Sequence, residues 1–134
     1  MALRGCLDTR FYFAHAEDKS PWTKRLVDAA RLPGSHVVSS TITITELLSE
    51  MGAIVGLATV HLRIRSVKAA GITFIAPSEE VASAAGEIAL RNTELPMADA
   101  LIAATAMQET DGRVYTDDPH FRKVPGIRVL WGDT

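Results

Sequence analysis

Acidic side chains occupy four separated positions of the 134-residue chain that favour metal-assisted chemistry. Asp99 lies within residues 95–107, a run in which nearly every residue is apolar or small, and an unpartnered buried carboxylate is costly. The other candidates are Asp8, Glu46 and Asp118. Carboxylate oxygens without a nearby histidine or thiol suit a hard cation, so a convergence of these positions predicts a Mg²⁺ or Mn²⁺ site.

Each acid also has a purely structural interpretation. Asp8 and Asp99 stand where carboxylates commonly cap or begin a helix and benefit from its dipole. Thr43 and Glu46 fit a capping box, in which the glutamate bonds back to the first amide of the helix. The stretch 117–119 (DDP) is ordinary turn chemistry. Whether the acids converge decides between the two interpretations.

Apolar periodicity predicts strands that alternate with helices. Strands are expected at 3–7, 36–39, 72–75, 113–116 and 127–130, the last at an edge. Helices are expected after Pro21, over 42–55, over 57–70, after Pro77 and from Pro96 onward. The expected fold class is α/β, a three-layer α/β/α sandwich with a central, mainly parallel sheet of about five strands. Residues 1–134 are expected to form a single domain.

This topology would deliver the four acids to one edge of the sheet. Asp8 closes the first strand, and Glu46 begins the helix that leaves the second strand. The helix of Asp99 joins the fourth strand by a short turn, so it must start at the carboxyl edge, where Asp118 follows that strand. Ligands of such sheets bind outside the carboxyl ends of the strands. Because like charges ~4 Å apart cost about 4 kcal/mol at an effective dielectric of 20, a metal site is the better interpretation.

Composition narrows the function classes. A net charge of −2 argues against binding nucleic acid by bulk positive charge. The single cysteine, Cys6, cannot form an intramolecular disulfide, so a cytoplasmic protein is expected. The uncharged apolar run at 51–60 is too short to cross a bilayer and no signal peptide opens the chain, so no membrane association is expected.

Four motifs follow one another in the chain: LDT at 7–9, TITEL at 43–47, LPMADALIAATA at 95–106 and VYTDDPHF at 114–121. Their order and spacing resemble the PIN domain, and the length and layout resemble the VapC-type toxins of prokaryotic toxin–antitoxin pairs. By this resemblance Asp8, Glu46, Asp99 and Asp118 form the acidic quartet of the family. The Thr-x-Asp spacing from Thr116 selects Asp118 rather than Asp117, which is left as a neighbour.

The resemblance implies a metal-dependent endoribonuclease with one or two Mg²⁺ or Mn²⁺ ions, an RNA substrate, a homodimer and a small antitoxin partner. We expect Asp8, Asp99 and Asp118 to bind metal and Glu46 to be a ligand or to orient the attacking water. Arg10 and Thr116 are candidate substrate contacts. Arg10 departs from the family, which more often has a small or apolar residue there. A PIN-like or flavodoxin-like module that binds RNA or a partner without cutting is the competing class.

Other polar and aromatic groups receive structural interpretations. The four histidines, His15, His36, His61 and His120, lack the spacing of ligand pairs and are interpreted as surface or core residues. The aromatic stretch 11–13 (FYF) lies close to the predicted mouth, but core packing is favoured over base stacking.

Residues 42–70 carry a further hypothesis. Their inward stripe is predicted to be Ile44, Leu47, Leu48, Met51, Ile54, Val55, Leu57, Val60, Ile64 and Val67. Together with small residues at Gly52, Ala53 and Gly56, this is more apolar surface than one side of a small domain easily covers. Part of the segment is therefore expected to meet a second subunit or an antitoxin helix. The alternative is that both stripes pack on the sheet.

Overall fold

A five-stranded sheet organises the computed structural model, which describes residues 2–17 and 21–132. The strands are β1 (Arg4–Leu7), β2 (His36–Ser40), β3 (Thr73–Ile75), β4 (Arg113–Tyr115) and β5 (Arg128–Leu130). Their spatial order is β3-β2-β1-β4-β5, and every neighbouring pair is parallel. The predicted α/β class is confirmed, with a fully parallel sheet and the fifth strand at an edge.

Helices cover both faces of this sheet. They are α1 (Thr9–Ala16), α2 (Pro21–Ala29), α3 (Ile42–Glu50), α4 (Gly52–Val55), α5 (Leu57–Ala69), α6 (Glu79–Arg91) and α7 (Met97–Glu109), with a 3₁₀ helix at Pro119–Lys123. One buried apolar cluster packs α6 and α7 against the sheet, and the other packs α1, α2, α3 and α5 against the opposite face. Val37 and Val38 face different clusters because successive strand residues point to opposite sides.

A tight reversal after α7 fixes where that helix begins. Asp111 has a φ of 53° and Gly112 a φ of 82°, so two consecutive residues adopt the left-handed region. A Cβ at Gly112 would collide with the carbonyl oxygen of Gly126, which explains the glycine. The reversal makes α7 antiparallel to β4, and its first turn therefore lies at the carboxyl edge of the sheet, as predicted.

The segment 42–70 departs from its predicted packing. Ile54 and Leu57 are 77% and 60% exposed, and Val55 is exposed as well, so the prediction that they point inward is wrong. Gly56, whose φ is 89°, interrupts the helix between α4 and α5, and this interruption also ends the apolar stripe. Leu47, Met51, Val60, Ile64 and Val67 carry the inward packing instead.

The aromatic residues of α1 belong to the core as interpreted. Phe11 is fully buried and Tyr12 nearly so, both within the cluster on the α1 face. Across residues 2–17 and 21–132, none of the helices has the length and hydropathy needed to cross a membrane.

Candidate functional site

The carboxylate of Asp99 lies at the centre of the acidic cluster. Its residue is only 9% exposed, and its side chain accepts no hydrogen bond from the described part of the chain. Burial, and then the negative charges of Asp8, Asp118 and Glu46 in that order, raise the pKa of Asp99 to about 7 against the lowering effect of His120. The four predicted acids therefore act on one another electrostatically, and the convergence expected from the topology is present.

Asp8 follows β1 directly and is almost fully buried. Burial raises the pKa of its carboxyl to about 6, against the lowering effect of the Thr116 hydroxyl, which donates to Asp8 Oδ2 at 2.6 Å. Thr116 Oγ1 in turn accepts the backbone N–H of Asp118 at 3.0 Å. One buried threonine thus fixes two of the acids, because β1 and β4 are neighbouring strands.

Glu46 is held by a residue that the sequence did not single out for a role. The Thr9 hydroxyl donates to Glu46 Oε1 at 2.7 Å, and Thr9 Oγ1 also lies 3.1 Å from Thr43 Oγ1. The capping-box interpretation is wrong, since α3 begins at Ile42 and its N-cap residue, Thr41, makes no side-chain capping bond. The position of Thr9 directly after Asp8 is the sequence feature that could have indicated a role for Thr9 in the site.

Asp118 is tied to a histidine in the short 3₁₀ helix. Its Oδ1 accepts the backbone N–H of His120 at 2.9 Å and lies 2.7 Å from His120 Nδ1. Ligand atoms from Asp99, Asp118 and His120 all lie within 4.8 Å of one another. His120 is exposed, in agreement with its interpretation as a surface residue, but its ring also lies against the acidic cluster. Its place two residues after Asp118, across Pro119, was the sequence signal.

Asp117 and Arg10 form a separate pair beside the cluster. Arg10 Nε donates to Asp117 Oδ1 at 2.7 Å and Nη2 donates to Oδ2 at 3.2 Å, a two-point contact. The guanidinium lowers the pKa of Asp117 and so stabilises its charge. Substrate contacts of Arg10 and Thr116 stay predictions, because each side chain here binds another residue of the chain.

The donor set fits a divalent cation. The pKa values of Asp8 and Asp99 stay raised although His120 and Arg10 act on the cluster, and a bound ion would relieve the remaining repulsion. The strongest observation is the buried carboxylate of Asp99, which lacks a hydrogen-bond partner within the described residues. Among the described residues, Asp99, Asp118 and His120 form the group whose ligand atoms lie close enough together to hold an ion, whereas metal binding by Asp8 and Glu46 stays a prediction.

An apolar cleft opens on the other side of α1. Its volume is about 290 Å³, and it lies among α1, α2, α3 and α5. Its apolar lining includes Leu47, Met51, Val60, Ile64 and Val67, and Lys24 and Arg63 contribute positive charge. Among the described residues, the lining is mainly apolar.

Comparison with known proteins places these features in a family. The sequence profile described as the PIN domain matches residues 5–127. No curated protein matches the chain. The fold is similar to that of VapBC2 from Rickettsia felis bound to a DNA fragment from their promoter. That match has a TM-score of 0.76 and 15% identity over 96% of this chain and 98% of that one.

Two further solved structures share the fold. VapC20 from Mycobacterium tuberculosis, described as a sarcin-ricin loop cleaving toxin, has a TM-score of 0.68 and 18% identity over 92% of this chain and 98% of that one. A toxin-antitoxin complex from Klebsiella pneumoniae has a TM-score of 0.66 and 19% identity over 94% of this chain and 95% of that one. At these identities the likeness extends to the fold.

Proposed function

The chain belongs to the PIN domain family, and from that membership and the acidic cluster we propose that it is a metal-dependent endoribonuclease, the toxin of a VapBC-type toxin–antitoxin pair. The observation that carries the proposal is Asp99, a buried carboxylate that three other acids repel. Such an arrangement opposes folding unless a cation compensates it, so its presence favours a working site over a structural one.

The acids divide into two roles. Asp8, Asp99 and Asp118 hold one or two Mg²⁺ or Mn²⁺ ions, directly or through water. Glu46 is a further ligand or orients the attacking water; Thr9 binds its Oε1, and its Oε2 accepts no hydrogen bond from residues 2–17 and 21–132. A bound divalent ion makes a water easier to deprotonate and offsets the charge that gathers on the phosphate.

Thr116 and Arg10 would position the acids and the substrate. Thr116 keeps Asp8 and the backbone of Asp118 together by a pair of hydrogen bonds. Arg10, with 57% of its side chain exposed, is the proposed rim contact for a phosphate. Thr116 is fully buried and its hydroxyl already binds Asp8 and Asp118, which argues against the predicted substrate contact of this residue. A phosphate at Arg10 would compete with Asp117 for the same guanidinium.

The substrate and partner classes draw on the structural neighbours. The Mycobacterium tuberculosis neighbour is described as a sarcin-ricin loop cleaving toxin, and the Klebsiella pneumoniae neighbour as a toxin-antitoxin complex. We extend RNA cleavage and a small antitoxin to this chain as proposals, together with a cytoplasmic location and a homodimer.

The deciding experiment is a cleavage assay on a mixture of structured RNAs. We expect fragments in Mg²⁺ or Mn²⁺, none in EDTA, and recovery of cleavage when the metal is restored. Protein that binds these RNAs in the presence of metal but leaves them intact would instead support the competing class, a non-catalytic binding module.

The partner surface has its own test. Exposed Ile54 and Leu57 lie beside the small residue Ala53, next to the helices that line the apolar cleft. We expect Ala53→Arg to weaken self-association or antitoxin binding, because a charged side chain would be buried in the interface. The readouts are sedimentation of the isolated protein and co-purification with the protein encoded next to it. If both stay unchanged, the interface lies elsewhere.

A further inference from the structure

We infer that His120 is part of the cation site and gives that site a preference for a first-row transition ion, such as Mn²⁺, over Mg²⁺. This inference rests on the proposed function, since it concerns the same cation site. It changes the expected donor set from oxygens alone to oxygens and one imidazole nitrogen.

The distances suit a shared coordination shell. An octahedral ion with ligands at roughly 2.1 Å places adjacent ligand atoms about 3 Å apart and opposite ones about 4.2 Å apart. His120 Nδ1 lies 2.7 Å from Asp118 Oδ1, and the ligand atoms of Asp99, Asp118 and His120 lie within 4.8 Å of one another. Small side-chain movements therefore bring all three onto one ion.

Asp99 supplies the independent sign of a ligand. The residue is only 9% exposed and its carboxylate accepts no hydrogen bond from the described residues, although it lies beside Asp118 and His120. A buried anion in this position is stabilised only when a positive group completes its surroundings. The positive charge of His120 lowers the pKa of Asp99, but burial and three like charges outweigh it, so a cation bound among these groups would supply the missing positive charge.

The imidazole ring can serve this purpose in its neutral form. A neutral ring has one protonated nitrogen and one nitrogen with a free lone pair. On binding an ion, His120 Nδ1 would exchange its contact with Asp118 Oδ1 for the ion and the ring proton would stay on Nε2, since ligand atoms must be deprotonated.

Donor chemistry then gives the metal preference. Mg²⁺ takes oxygen ligands in a strict octahedron and gives up its waters reluctantly, so a nearby nitrogen adds little to its binding. First-row transition ions accept imidazole, and their affinities rise along the series from Mn²⁺. His120 should therefore strengthen Mn²⁺ binding and leave Mg²⁺ binding nearly unchanged.

The test measures Mn²⁺ binding by electron paramagnetic resonance without RNA, comparing wild type, His120→Gln and a matched control, His61→Gln. His61 is an exposed residue of α5 on the other face of the sheet. We expect His120→Gln to weaken Mn²⁺ binding by about 10- to 100-fold, the range typical when a group supporting a metal site is lost. Mg²⁺ binding, measured by competition, should change by less than the Mn²⁺ effect, and His61→Gln should match wild type.

Electron spin-echo modulation identifies the ligand directly. Wild-type protein with Mn²⁺ should show coupling to a ¹⁴N nucleus of an imidazole, and His120→Gln should lose it. Absence of nitrogen coupling in wild type, or equal losses of Mn²⁺ and Mg²⁺ binding in the variant, overturns the inference while the proposed nuclease stands. If wild type binds no divalent ion at all, the proposed cation site itself is refuted. The wild-type spectrum decides even if His120→Gln does not fold.

Discussion

Asp117 and Asp118 are adjacent in the chain, but they belong to two regions with opposite electrostatics. At the rim, Asp117 meets the two-point contact of Arg10, and its pKa is lowered. In the acidic cluster, burial and like charges raise the pKa values of Asp8 and Asp99 to about 6 and about 7. At the rim the charge is compensated within the chain, whereas in the cluster the positive charges of His120 and Arg10 do not outweigh burial and repulsion.

The two regions differ in how their carboxylates affect the stability of the folded chain. A paired, half-exposed carboxylate such as Asp117 contributes little to stability and needs no further positive partner. The carboxylates of the cluster destabilise the chain on their own, because burial and mutual repulsion both favour their neutral forms. Because these carboxylates destabilise the folded chain, we expect the cation and the RNA cleavage to be located at the acidic cluster.

The largest expected effect comes from removing charge in one region but not in the other. Asp8→Asn, Asp99→Asn and Asp118→Asn should each lower metal-dependent RNA cleavage by at least about a hundredfold, since an amide is a much poorer ligand for a hard cation. Asp117→Asn should lose far less. Initial cleavage rates at saturating Mn²⁺ provide the measurement, with circular dichroism to confirm folding. Full activity in Asp99→Asn would refute the proposed nuclease. Equal losses of activity in the Asp117 and Asp118 variants would mean that Asp117 also belongs to the acidic cluster.

A smaller loss should follow when a supporting hydroxyl is removed. Thr9→Val keeps the size of the side chain but removes the donor to Glu46, so we expect cleavage to fall by about 10- to 100-fold. Thr9→Ser restores the hydroxyl and should recover most of the activity. Cleavage rates and melting temperatures of both variants are compared. If Ser and Val behave alike, Thr9 contributes packing rather than orientation of Glu46.

Metal should stabilise the cluster and leave the rim unaffected. A cation that binds only the folded protein adds about 2.7 kcal/mol at a hundredfold excess over its Kd, which raises the melting temperature by several degrees. We expect Asp99→Asn to be slightly more stable than wild type without metal and to respond less to Mn²⁺. Asp117→Asn should respond like wild type. Melting curves across Mn²⁺ concentrations at fixed ionic strength measure this, and identical responses of wild type and Asp99→Asn would argue against a shared site.

The smallest expected effect is a pH dependence whose sign differs between the regions. The folded-state pKa values of Asp8 and Asp99 lie above the ordinary value of 3.8, so the folded protein binds more protons between about pH 4 and pH 7. In EDTA, the stability contributed by these groups is therefore lost as pH rises through that window. Asp117 has a lowered pKa, so its contribution is lost as pH falls below the ordinary carboxyl range.

Melting temperatures in EDTA across this range test the sign. Asp99→Asn should flatten the decline toward neutral pH, whereas Asp117→Asn should retain it and change only the acidic limb. A wild-type melting temperature that rises steadily from pH 4 to pH 7 would contradict the incomplete compensation of charge in the cluster.

The sequence by itself determined the architecture and the meeting of the acids. Apolar periodicity and turn residues such as Gly112 define strands that alternate with helices, and that alternation requires a parallel sheet. Asp8, Asp99 and Asp118 each border a strand or helix end, so the topology alone brings them to the carboxyl edge. Backbone connectivity is encoded locally, which is why this part was predictable.

Only the tertiary structure decided which side chains pair. Thr9 meets Glu46 across 37 positions and Arg10 meets Asp117 across 107, and these contacts depend on how separate elements pack and which rotamers they allow. His120 lies in the cluster because the 3₁₀ helix places its ring against Asp118. Ile54 is exposed because the helix is interrupted at Gly56. Periodicity specifies the face of one element, whereas contacts between elements are fixed only when those faces are packed together.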